Sequence, residues 1–233
     1  MILLLDFEYY NDAFSDFYSS RNIYKMTDKN TFELMRPFGP PVGKFPIPSK
    51  ICDEINRLVD SHNTGNQTGL EYFGDHLAGE IASELLIPRH LLLSTGLEAH
   101  IVRCINGYIM RSLNKVPKKV HIETCWIVQQ MPGEYNPIHW HSFHLSGAGW
   151  LKLPEKTEQG FKTDRFDGKI VFIHGSKQFL SDSDYILKPE VGLLTVFPNY
   201  LMHQVYPFRG LGERRSIAFN ATIDDELYNV YGA

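Results

Sequence analysis

From His121 onward the apolar residues stop recurring at helical spacing and fall into short runs divided by turn residues, and that change limits the possible folds more than any other feature of the chain. The runs are His121 to Gln130, Ser146 to Leu153, Gly168 to His174, Gly192 to Pro198 and Ser216 to Ile223, rich in Ile, Val, Phe, Trp and Thr. Short strands in series predict a β-sandwich or barrel.

Upstream the pattern is helical. Ile51, Ile55, Leu58 and Val59 recur between charged residues from Ser49 to Asp60, which predicts an amphipathic helix. A second, short helix is expected around Leu77, Ile81 and Leu85, stopping before Pro88. The third helix is the clearest: Thr95 and Glu98 have the spacing of a capping box, and Leu97, Ile101, Cys104, Ile105, Tyr108 and Ile109 form one apolar stripe. The run Phe38-Gly39-Pro40-Pro41-Val42-Gly43 reads as a loop in a lead-in that extends to about Lys50. Helices first and strands second give an α+β chain. We expect one compact unit, with residues 1–120 a lead-in and helical region packed on a β core made by residues 121–233.

The chain has 233 residues and a net charge of −4, so it lacks the basic footprint that nucleic-acid binding leaves, and a small molecule or a peptide is the expected partner. Its three cysteines, Cys52, Cys104 and Cys125, form no CxxC pair and read as buried thiols of a reducing compartment. Met1-Ile2-Leu3-Leu4-Leu5 runs straight into Asp6 and Glu8, without the basic start and the length of a signal peptide, and no stretch is long enough to span a membrane. A cytoplasmic location is expected.

Four of the ten histidines carry the chemistry: His139, His141 and His144 close together, and His203 after the apolar run Gly192 to Phe197 and a Pro198-Asn199 turn. Residues two apart on a strand share a face, so His139 and His141 can present two imidazoles to one point, and imidazole suits Fe, Zn, Cu or Ni over Mg or Ca. His203 returns beside them if the strands fold back as in a jelly roll. By alternation His144 faces away from His141 unless a turn intervenes. Further on, Arg214, Ser216, Ala218 and Asn220 share one strand face, with Ile217 and Phe219 on the other. Arg214 and Ser216 side by side make a receptor for a terminal carboxylate, which a guanidinium grips bidentately.

In this order the motifs resemble the Fe(II)/2-oxoglutarate-dependent oxygenase superfamily, and within it 2OG-Fe(II) oxygenase family 5. The similar residues are His139-Trp140-His141, Leu145-Ser146-Gly147, Phe197-Pro198 leading to His203, Arg214, and Ser216-Ile217-Ala218-Phe219-Asn220. The stretches Phe38 to Gly43 and Leu77-Ala78-Gly79-Glu80 resemble chains typical of marine bacteriophages, which points to a phage-encoded protein in the host cytoplasm. The resemblance implies a double-stranded β-helix (jelly-roll, cupin-like) core from about Thr124 to Thr222. It implies Fe(II) held by His139 and His203, 2-oxoglutarate chelating that metal, and its distal carboxylate held by Arg214 with Ser216. The reaction it implies consumes O2, releases succinate and CO2, and hydroxylates a peptide or protein side chain or a small metabolite.

One position departs from the superfamily's pattern. The usual carboxylate ligand, two residues after the first histidine, is His141 here. The catalytic and metal set is therefore expected to be His139, His141 and His203, with His144 or an acid such as Asp164 or Asp167 as alternatives for the third ligand. Gly133, Gly192, Pro198 and His203 also fit the cupin pattern, with Tyr200 where a glycine is usual. Two alternatives follow: a three-histidine dioxygenase that needs no 2-oxoglutarate, and a non-catalytic phage jelly roll stapled by its metal. Trp140, Trp150 and Tyr135 belong either to the substrate mouth or to the core.

Overall fold

The computed structural model describes residues 33–35, 39–156 and 165–229. Residues 1–32 of the expected lead-in, and with them Phe38 and Asp164, lie outside the described residues. In chain order the strands are β1 (Glu33–Met35), β2 (Val42–Pro46), β3 (Glu71–Tyr72), β4 (Ser83–Leu86), β5 (Val120–Gln130), β6 (Asn136–His139) and β7 (Leu145–Lys152). They continue as β8 (Glu155–Lys156), β9 (Ile170–Ile173), β10 (Asp184–Leu187), β11 (Leu193–Pro198), β12 (Met202–Val205), β13 (Gly210–Leu211) and β14 (Arg214–Ile223). The helices are α1 (Ser49–Asn63), α2 (Arg89–Ser94), α3 (Leu97–Leu113) and α4 (Asp225–Tyr228).

Eight strands form a large antiparallel sheet in the order β1-β2-β11-β7-β14-β5-β4-β3, and four form a smaller one in the order β10-β9-β12-β6. Alternation divides the large sheet's side chains. On one face Leu85, Ile127, Leu194, Ile217 and Phe219 meet Ile51, Ile55 and Val59 of α1 and Leu97, Ile101 and Ile105 of α3 in the main core. On the other face Trp150 and Phe197 join Ile170 and Phe172 of the small sheet and Leu201 in a second buried cluster. Two sheets closed on each other, with helices covering the outer face of the larger, make a double-stranded β-helix of the α+β class. The close approach at Gly147 is part of this packing: a Cβ there would run into the ring of Phe219 and the carbonyl of Thr195.

Three local expectations are corrected. The helix expected around Leu77, Ile81 and Leu85 is instead a 3-10 turn at Gly74–His76 followed by β4. A spacing of four residues is a multiple of both the strand and, nearly, the helix period, and pairing with β5 decides for the strand. The capping box is not formed: the Thr95 hydroxyl donates to Leu91 O at 2.7 Å, closing α2, and α3 starts after Gly96 in the left-handed region at φ 75°. The end of the expected loop, Val42 and Gly43, opens β2, which pairs with β11 and widens the sheet. All three cysteines are free and buried, as expected.

Candidate active site

β6 and β12 pair with His139 directly opposite His203, and directly opposed residues project to the same side of a sheet. Their ring centroids are 4.3 Å apart. His141 reaches the same point by another route. β6 ends at His139, so strand alternation does not aim His141; the loop is clamped instead. The His141 N–H donates to Asn199 O at 3.0 Å, and the Asn199 amide donates back to His141 O at 3.2 Å. One nitrogen from each of His139, His141 and His203 then lies within 4.8 Å of the others.

The local hydrogen bonds set the tautomers. His139 Nδ1 lies 2.7 Å from Pro137 O and His203 Nδ1 lies 2.9 Å from Leu201 O. A carbonyl only accepts, so each Nδ1 carries the proton and each Nε2 keeps its lone pair, the arrangement that a backbone carbonyl behind the ring imposes on a metal-binding histidine. The Nε2 atoms of His141 and His203 are 3.3 Å apart. That separation suits two ligands each about 2.0–2.1 Å from one ion. Burial, and then the charge of His139, bring His141 down to about 4, while burial holds His139 below and His203 well below the ordinary histidine value. All three are neutral at neutral pH, the form that ligates. The donor set therefore fits a borderline divalent metal.

The histidines open on a cavity of about 210 Å³ that is also lined by Trp126, Arg214 and Ser216. Arg214 is 2% exposed. Its Nη1 donates to Gly168 O at 2.8 Å and its Nη2 to Gln130 Oε1, while its buried Nε has no partner. Among the described residues it has no carboxylate to pair with, and burial brings it down to about 9, still protonated at neutral pH. Its neighbour Arg215 points to the helix side and is fully paired, with Nε on Glu213 Oε1 and Nη2 on Asp60 Oδ1, both at 2.7 Å. An unpaired buried cation in a cavity is costly unless an anion joins it. A small dicarboxylate meets that requirement, with the Ser216 hydroxyl on the same strand face as a further donor.

The remaining candidates separate cleanly. His144 is turned away from the cavity: it stacks on Tyr228 with centroids 3.8 Å apart, and its Nδ1 accepts the Ile223 N–H at 3.1 Å. Asp167 Oδ1 accepts the Arg209 N–H at 3.1 Å, and Asp167 is not part of the histidine group. Trp150 is buried and Trp140 exposed, and both line the cavity, whereas Tyr135 is exposed and forms a β-bridge with Glu80. Sequence reasoning missed Gln130, the partner that steadies Arg214, and Glu84, a buried carboxyl on the cavity wall. Glu84 fell in a segment read as helix, so nothing in its spacing placed it on a sheet face.

Residues 124–220 match the family model described as "Putative 2OG-Fe(II) oxygenase". Among solved structures, the fold is similar to a Pseudomonas putida prolyl-4-hydroxylase, at 16% identity and TM-score 0.50, over 82% of this chain and 93% of that one. It is also similar to the non-heme α-ketoglutarate-dependent epimerase SnoN from nogalamycin biosynthesis, at 11% identity and TM-score 0.51, over 77% of each chain. A search of the curated proteins returns no match. The match of that segment, with the double-stranded β-helix around it, makes residues 124–220 similar to the 2OG-Fe(II) oxygenase family.

Proposed function

We propose that the chain is an Fe(II)- and 2-oxoglutarate-dependent dioxygenase in which His139, His141 and His203 hold the metal and Arg214 with Ser216 receives the distal carboxylate of 2-oxoglutarate. The observation that carries this reading is the joint presence, in one cavity, of three neutral imidazoles aimed at a point and a buried guanidinium that no carboxylate among the described residues pairs. Iron and the keto acid, when bound, supply the activation of O2 that oxidises a substrate carbon. The chain's own part is positional. The carbonyls of Pro137 and Leu201 orient two imidazoles, the Asn199 clamp orients the third, and Phe172 and Phe197 wall His203 from water. Gln130 and Gly168 O hold the guanidinium so that little reorganisation is left when the carboxylate arrives. The cavity is small, so the substrate presents a side chain or a similarly small group rather than its whole body. A host-cytoplasmic setting for a phage-encoded chain rests on the sequence resemblance alone; no helix among the described residues is long and apolar enough to cross a membrane.

A second reading has an observation in its favour. Among the described residues no carboxylate belongs to the histidine group, and a three-histidine site is the donor set of a dioxygenase that uses no keto acid. The two readings divide on Arg214. Anaerobic addition of Fe(II) and then 2-oxoglutarate should produce the weak visible band of a metal-chelated keto acid, and Arg214→Ala should need far more 2-oxoglutarate to reach it. Tight iron binding with no band in the wild type would favour the second reading.

A further inference from the structure

Glu84 on β4 stands opposite Val128 of β5, which stands opposite Ser216 of β14. Opposed residues share a face, so Glu84 projects to the same side of the large sheet as Ser216. It is the one acidic side chain among the described residues that lines the cavity. It is 1% exposed, and its buried Oε2 has no hydrogen-bond partner. It lies outside the histidine group and forms no ion pair with Arg214 or any other described residue.

A carboxyl with a structural task looks different, and Glu134 provides the comparison: its Oε1 accepts the Ala82 N–H at 3.1 Å and its Oε2 the Met131 N–H at 2.8 Å. Glu84 has no such return for its desolvation. Burial, and then the negative charge of Glu134, push it up to about 7. Both penalties are relieved by a positively charged donor and made worse by a second anion. Arg214 already offers the cavity's anion-binding group, so the two unpaired ionisable side chains call for ligands of opposite sign.

We propose that Glu84 is the substrate-selecting residue of this cavity, receiving the cationic N–H group of an alkylammonium or alkylguanidinium side chain. The description of that ligand as substrate rests on the oxygenase reading above. A charge-assisted hydrogen bond from such a group to the Glu84 carboxylate offsets the cost of its burial.

Calorimetric titration tests this with n-butylammonium, n-butylguanidinium and neutral n-butanol, on wild type and Glu84→Gln loaded anaerobically with Fe(II) and 2-oxoglutarate. In the wild type at least one of the two cations should bind about tenfold or more tightly than the alcohol, and that preference should vanish in Glu84→Gln. Glu84→Met serves the same purpose if the glutamine variant does not fold. Equal binding of cations and alcohol by the wild type, or a preference that survives both substitutions, overturns the proposal. So does a loss of 2-oxoglutarate affinity in the variants without any change toward the cations, which would assign Glu84 to the cosubstrate. The visible band, read in the same samples, keeps the two ideas apart: its absence in the wild type defeats the oxygenase reading, while cation preference is still decided on the unloaded protein.

Discussion

Arg214 and Arg215 are adjacent in sequence and electrostatically opposite. Strand alternation turns Arg215 toward Glu213 and Asp60, and turns Arg214 into a cavity where its hydrogen-bond partners among the described residues are neutral oxygens. Replacing a buried unpaired charge by an apolar residue of similar volume removes a cost instead of a contact. Arg214→Met should therefore leave the ligand-free protein as stable, or more stable by about 1–4 kcal/mol. The same change should weaken 2-oxoglutarate by about 2–5 kcal/mol, the usual loss when one partner of a buried charge pair is removed. Urea unfolding of the ligand-free protein and titration of the cosubstrate check the two signs. A variant that loses stability and keeps its 2-oxoglutarate affinity would make Arg214 a structural residue. The pairing of opposite faces along this strand was legible in the sequence. The missing counter-ion was not, because no spacing rule says that no acid among the described residues pairs with Arg214.

At the scale of elements, β14 is the strand on which the architecture turns. It pairs with both β5 and β7, and Arg215 ties it to α1 through Asp60 Oδ1, Asn56 O and Asn56 Oδ1. Arg215 is 1% exposed, and its removal leaves the largely buried Glu213 without its main partner. Arg215→Ala should cost about 3–5 kcal/mol, read as a fall in the urea midpoint at unchanged slope. A loss below about 1 kcal/mol, the range of an exposed pair, would mean that the tie contributes little. The long strands and the two long helices were readable because their apolar period extends over many residues. The short elements were not: β6 and β12 are four residues each and half polar, yet their pairing is what brings His139 and His203 together. Likewise β4 was mistaken for helix because a four-residue segment has too few positions to express a period.

For the whole molecule, the proposed ligands come from two distant segments, 139–141 and 203, so a bound metal cross-links the loop after β6 to β12. Binding to the folded state alone stabilises it, by about 2.7 kcal/mol when free metal is a hundredfold above its dissociation constant. For a chain of this size each kcal/mol moves the melting temperature by roughly 2–4 °C. Anaerobic Fe(II) should thus raise the melting temperature by roughly 5–10 °C, and His203→Ala should abolish the rise. An equal rise in His203→Ala, followed by scanning calorimetry, would move the metal elsewhere. The sequence by itself determined the fold class, the β-rich second half and the residue types of the site, because strand period, turn residues and the order of the histidine and arginine motifs are local properties of a chain. Tertiary structure alone decided which candidates meet. The Asn199 clamp brings His141 in, the stack on Tyr228 takes His144 out, and the edge strand β4 sets Glu84 on the cavity wall, since each of these depends on contacts between residues far apart in the sequence.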